Sequence, residues 1–200
     1  MTDALQSWKD EWQSQIGSER ILRVRWLLNP YEPPLENVEI VEQHGHITEI
    51  RSQAGTADKI LPAIMIPTLV NAHTHLEFSA LSEPIRPALP FPDWISAVIQ
   101  WRRSTVDDNT GVPQGLMESH RAGVSTIGEI TTTLQVHARD LAEGCRVVSF
   151  REIIGLQRDR IPEMLCQAEQ HLATDADESV ICGLSPHAPY TVHPDLFESL

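Results

Sequence analysis

From Lys59 onward the chain alternates apolar runs of strand length with amphipathic runs of helix length, and this alternation constrains the fold more than any other feature. Strand-like runs fall at about 62–72, 124–130, 146–154 and 180–186. Helical spacing marks the stretches between them. FPDWISAVIQWRRS carries Trp94, Ile95, Val98 and Trp101 on one side, and GVPQGLMESHRAG ends on Gly123. LQVHARDLAEG stops at Gly144, RIPEMLCQAEQHLA has Pro162 in its first turn, and HPDLFESL opens one more helix. Strands separated by helices in short units imply βαβ units and a parallel sheet. A closed barrel of eight such units needs ~250 residues. Only 127 residues follow His73. The expected fold is α/β, the first half of a (β/α)8 TIM-type barrel, over residues 62–200.

Residues 20–61 read as part of a small β-sandwich. ILRVRWLL is a strand, and NVEIVEQHGHITEI alternates about a Gly-centred turn as a hairpin does. His44 and His46 flank that turn; exposed hairpin positions account for them, since no third donor lies nearby in sequence. Residues 1–19 form a polar extension read as a short helix, with Leu5, Trp8 and Trp12 on one face. This start lacks the basic and apolar regions of a signal peptide.

The formal net charge is −13, from 15 basic and 28 acidic residues. Such a chain repels phosphate backbones and anionic lipid, so neither nucleic acid nor a membrane is an expected partner. The longest apolar run, Ile60 to Val70, contains two prolines and is half the length of a membrane span. Cys145, Cys166 and Cys182 match no zinc or redox spacing and are read as buried, reduced thiols of a cytoplasmic protein. His120, His137, His171 and His193 are placed on helix surfaces or at a helix start.

The chemistry concentrates in N-A-H-T-H at 71–75. Alternate residues of a strand share a side, ~6–7 Å apart along the backbone, so His73 and His75 can converge on one ion. They stand where an apolar strand runs into polar loop, the end at which parallel α/β folds place their sites. Glu77 follows two residues later, as a substrate contact or a solvated loop carboxylate. Glu129 closes the second strand. Arg151 and Glu152 lie in the third, either facing a site or paired with each other. H-L-E at 75–77 also satisfies half of the cytidine-deaminase pattern, but its P-C-x-x-C partner is missing.

P-T-L-V-N-A-H-T-H-L-E-F-S at 67–79 resembles the first-strand motif of the amidohydrolase superfamily, in its deaminase and chlorohydrolase branch. S-P-H-A-P-Y-T-V at 185–192 resembles that branch's fourth-strand motif, and L-E-F-S looks like deaminases of aminodeoxyfutalosine type. The likeness covers roughly residues 20–200. It implies that His73 and His75 are metal ligands and that His187 and Glu77 contact a small-molecule substrate. The family's remaining ligands, and the glutamate that moves the proton, belong to strands five, six and eight, past residue 200, so no catalytic residue is assigned. Binuclear members bridge two metals with a carbamylated lysine on strand four. The only lysines here are Lys9 and Lys59, which favours one divalent ion, zinc before iron.

The resemblance implies a hydrolase acting on non-peptide C–N bonds, an aminohydrolase of a purine-like or other heterocycle, by metal-activated water. Two alternatives stand beside it: dehalogenation of a triazine-like ring by the same centre, and a half-barrel that is inactive alone. Two histidines cannot fill a tetrahedral site, which takes three protein ligands and a water. Open parallel edges also invite self-association. The 200 residues alone are expected to bind metal weakly and not to turn over; a homo-oligomer is compatible with this reading.

Overall fold

Residues 20–52 form a meander because their apolar residues alternate with charged ones and their turns carry suitable residues. In the computed structural model, which describes residues 19–52, 60–86, 90–104, 111–132, 144–174 and 180–200, β1 (Arg20–Asn29) pairs antiparallel with β2 (Glu32–Gln43), and β2 with β3 (His46–Ser52). The β2–β3 turn places His44 and Gly45 at φ of 53° and 83°, the double positive φ of a type I′ hairpin. The expected hairpin is therefore present. One face buries Leu22, Val24, Val38 and Ile40. Glu39 sits between Arg23 and Arg51, which pair with it at 2.7 Å each and hold its carboxyl below the usual range.

The apolar run expected as one buried strand at 62–72 is two strands. β4 (Leu61–Met65) adds to β1 in parallel, giving the sheet order β3-β2-β1-β4. β5 (Leu69–Thr74) starts a second sheet. Pro67 lies between them and offers no N–H to either ladder. The chain divides there into two compact units, Met1–Pro67 and Thr68–Leu200. Pro62 is tolerated in β4 because β4 is an edge strand. The assignment of residues 62–65 to the barrel's first strand is thus corrected. So is the burial of that run: β5 is also an edge strand, with Val70 64% exposed. The expected helix at 1–19 lies outside the described residues, except for Glu19 just before β1.

In the second unit β5, β6 (Val124–Thr131), β7 (Arg146–Ile153) and β8 (Val180–Pro186) are parallel and lie side by side in chain order. α1 (Phe91–Ser104) and α2 (Gly111–Arg121) follow β5; α3 (Ile161–Leu172) joins β7 to β8, and α4 (Pro194–Ser199) follows β8. The helix expected over 134–144 falls almost wholly outside the described residues. Along β7, Val147, Ser149, Arg151 and Ile153 are buried, while Val148, Phe150 and Glu152 between them are only partly so. One core gathers Leu76, Leu116, Ile127, Cys145, Val147 and Val180. A second gathers Ile153, Met164, Ala168, Val192 and Leu196.

Two smaller expectations change. Cys166 is exposed on α3, although Cys145 is buried. His171 is not on a surface: it is fully buried, its Nε2 donating to the Ser149 carbonyl at 2.8 Å. Its place follows from helical spacing, since Met164, Ala168 and His171 share the stripe that α3 lays on β7.

β6 approaches β5 closely at Gly128, where an added Cβ would collide with the Ala72 carbonyl. Gly128→Ala should therefore cost about 1–3 kcal/mol, read as a lowered denaturation midpoint; wild-type stability would show that β5 moves aside freely.

Candidate active site

β5 ends at Thr74, and the chain then tightens into a 3-10 turn over Leu76–Ala80. His73 and His75 project together at this strand end, as alternate residues must, with ring centroids 5.5 Å apart and an edge-on angle of 74°. His73 is exposed and His75 half-buried. Burial, and then the charge of Arg102, hold the His75 ring below its ordinary pKa, so it is neutral at neutral pH. A neutral imidazole is the form that ligates metal. The two rings thus suit a borderline cation as part of a donor set. Among the described residues, no group of three or more His, Cys, Asp or Glu side chains could hold an ion.

The turn after His75 is fixed from two directions. Gly111 of α2 lies against the Glu77 carbonyl so closely that a Cβ would not fit. From β6, the Glu129 carboxyl accepts the Leu76 N–H at 2.9 and 3.2 Å. Glu129 is 6% exposed, and burial pushes its pKa up to about 8, against the lowering effect of the Leu76 N–H. It is therefore largely a neutral carboxylic acid at neutral pH.

Glu77 is neither in a strand nor a free loop carboxylate. It sits in the 3-10 turn, and Arg102 of α1 donates Nε–H to its Oε1 at 2.7 Å. The same guanidinium places Nη2 3.2 Å from His75 Nδ1 and Nη1 3.9 Å from Glu152 Oε2. It also stacks 5.2 Å from the centre of the Phe78 ring. Phe78 touches His75 and Trp101, with centroids 5.9 and 5.0 Å away. Arg151 does not pair with Glu152 side chain to side chain; its Nη2 donates to Gln167 at 2.9 Å.

His187 follows β8, at the same C-terminal edge of the sheet but separated from the histidine pair by β6 and β7. Its N–H donates to the Ile153 carbonyl at 3.1 Å. The Thr191 hydroxyl donates to the Ala188 carbonyl at 3.0 Å, so at 2.8 Å it accepts from His187 Nδ1–H. In the neutral form of this exposed ring, Nε2 is left as an acceptor. Tyr190 packs edge-on at 6.4 Å, and a cleft of about 320 Å³ opens beside the ring, between Pro186, Val192 and Phe197.

The structure thus groups His73, His75 and Glu77 and sets His187 apart on the same rim. Sequence reasoning missed Arg102 and Phe78. Phe78 stood inside the recognised motif, but Arg102 lies 25 residues beyond Glu77 with no local signal.

Residues 64–200 match the amidohydrolase family. The chain belongs to the amidohydrolase family. It is 30% identical over 167 residues to the aminodeoxyfutalosine deaminase of Deinococcus radiodurans, covering 81% of this chain and 39% of that protein. It is 27% identical over 183 residues to the 5-methylthioadenosine/S-adenosylhomocysteine deaminase of Desulforamulus reducens, covering 84% and 42%. Among solved structures it resembles Helicobacter pylori aminofutalosine deaminase in complex with methylthio-coformycin, with a TM-score of 0.71 and 22% identity over 90% of this chain and 47% of that one. The fold expectation is met: an α/β chain that corresponds to half of an amidohydrolase barrel together with a β-sheet region. This amidohydrolase spans about two fifths of the length of the curated relatives it matches.

The Glu129 proton gives a stability signature. Between about 4.5 and about 8 the folded amidohydrolase holds a proton that the unfolded chain releases, so its stability falls as pH rises through that window. Relative to Glu129→Gln, wild type should lose melting temperature from about pH 5 to about pH 8. A constant difference between the two proteins across that range would refute the neutral carboxyl.

Proposed function

We propose that this chain supplies part of the active site of a metal-dependent hydrolase that deaminates an adenosine-like substrate. The observation that carries the reading is the His73–His75 pair, converging at the end of β5 within a chain of the amidohydrolase family. The names of the two relatives, both deaminases, support the choice of reaction. In this reading the overall reaction adds water to an amine-bearing ring carbon and releases ammonia. His73 and His75 would hold one divalent ion. Neutral imidazoles suit zinc and Fe(II), and we favour zinc. When bound, such an ion lowers the pKa of a water molecule toward neutrality.

The chain's own residues have distinct tasks in this proposal. Glu77 presents a carboxylate acceptor to substrate hydroxyls, oriented by the Arg102 guanidinium. His187 presents Nε2 as an acceptor, its tautomer set by Thr191. Glu129 performs no proton transfer; it ties the Leu76 backbone to β6 and so fixes the direction of His75. The remaining donors and the proton-transfer group would come from elsewhere in a full-length protein.

The test uses the full-length protein. It should carry about one zinc per chain by elemental analysis and release ammonia from 5′-methylthioadenosine or 5′-deoxyadenosine. The variants His73→Asn and His75→Asn should each lower metal affinity by ~100-fold or more, beyond the 10–100-fold that outer partners of a ligand cost. A full-length protein free of metal, with no ammonia release from any purine nucleoside, would sink the proposal.

A further inference from the structure

We infer that Arg102 is a positioning residue that competes with a metal ion for His75. The inference rests on the reading of His73 and His75 as ligands. A guanidinium has five N–H donors and no acceptor. At 3.2 Å from Nη2, Nδ1 of His75 must therefore be the acceptor of that contact. An imidazole that accepts at Nδ1 carries its one proton on Nε2.

Both nitrogens are then closed to a cation. Ligation through Nδ1 needs the lone pair that Arg102 occupies. Ligation through Nε2 moves the ring proton to Nδ1, which then points a donor at a donor. The positive charge of Arg102 adds repulsion in either case. Loading the site accordingly requires Arg102 to release His75.

The structure provides somewhere for the guanidinium to go. Glu152 Oε2 lies 3.9 Å from Nη1 and is buried without a hydrogen-bond partner among the described residues. A small rotation about the Glu77 contact closes that gap and satisfies the orphaned oxygen. Glu77 can stay bound throughout, through Nε at 2.7 Å. Arg102 would thus keep the Glu77 carboxylate in place in both states, resting on His75 in one and on Glu152 in the other.

The experiment is a calorimetric titration of metal-stripped full-length protein with zinc chloride. Arg102→Met should tighten zinc binding by about tenfold or more, the scale of one charge-assisted hydrogen bond. The same comparison in a Glu77→Gln background should preserve the gain, which excludes a contribution from a freed carboxylate. If Arg102→Met binds zinc no better than wild type, while His73→Asn/His75→Asn loses binding, the competition is overturned and the ligand assignment stands. If His73→Asn/His75→Asn binds as wild type does, the ligand assignment itself fails. A readout that needs no Arg102 variant is the 15N spectrum of labelled histidines in the metal-free protein. The resonance lost in His75→Asn should report a proton on Nε2; a proton on Nδ1 would overturn the inference.

Discussion

The hydrogen bond from the Leu76 N–H to the Glu129 carboxyl joins the two halves of the candidate site. Strand pairing does so only past an irregularity: the β5–β6 register shifts between Asn71 and Thr74 before Thr74 pairs with Glu129. At that break the backbone ladder loses its regularity just where the two histidines must be aimed. A side chain from β6 takes over the tie, reaching the first residue of the 3-10 turn. The Gly128 contact draws the strands together below it, and Gly111 lets the turn settle against α2. The direction of His75 is therefore set by packing and one buried hydrogen bond rather than by the sheet alone.

Charge is arranged around that anchor with economy. Arg102 faces Glu77, Glu152 and, at longer range, Glu129. One cation cannot balance three carboxylates in a half-buried space. Glu129, buried against the Leu76 N–H, remains largely protonated. Glu77, with the best geometry to the guanidinium, takes the ion pair. The site thus holds a neutral acid and a fixed carboxylate within one turn of chain, which burial and hydrogen bonding separate as their residue type cannot.

Much of this was legible in the residues. Period-2 and period-3.6 patterns located three of the parallel strands and three of the helices close to their observed ends. The pairing of His73 with His75 followed from strand alternation. The division of the 62–72 run was hidden because an unbroken apolar stretch looks the same whether one sheet takes it or two; Pro67, which supplies no ladder hydrogen bond, was the available clue. His171 was misplaced because its polarity outweighed its position in the α3 stripe. Arg102 was invisible for a different reason: its partners lie on separate elements, and only the packing of α1 brings them together.

The hydrogen-bond chain from His187 through Thr191 to the Ala188 carbonyl has a consequence for molecular recognition. Its three members, His187, Ala188 and Thr191, lie within five residues of one loop, so in the neutral ring the proton's location is set locally. A ring free to exchange its proton between two nitrogens would match a donor group only part of the time. Here the loop has already made that selection, which leaves the neutral ring a lone pair on Nε2. The selection is made by one hydroxyl and one carbonyl of the same loop, which the His187 N–H in turn ties to the Ile153 carbonyl of β7.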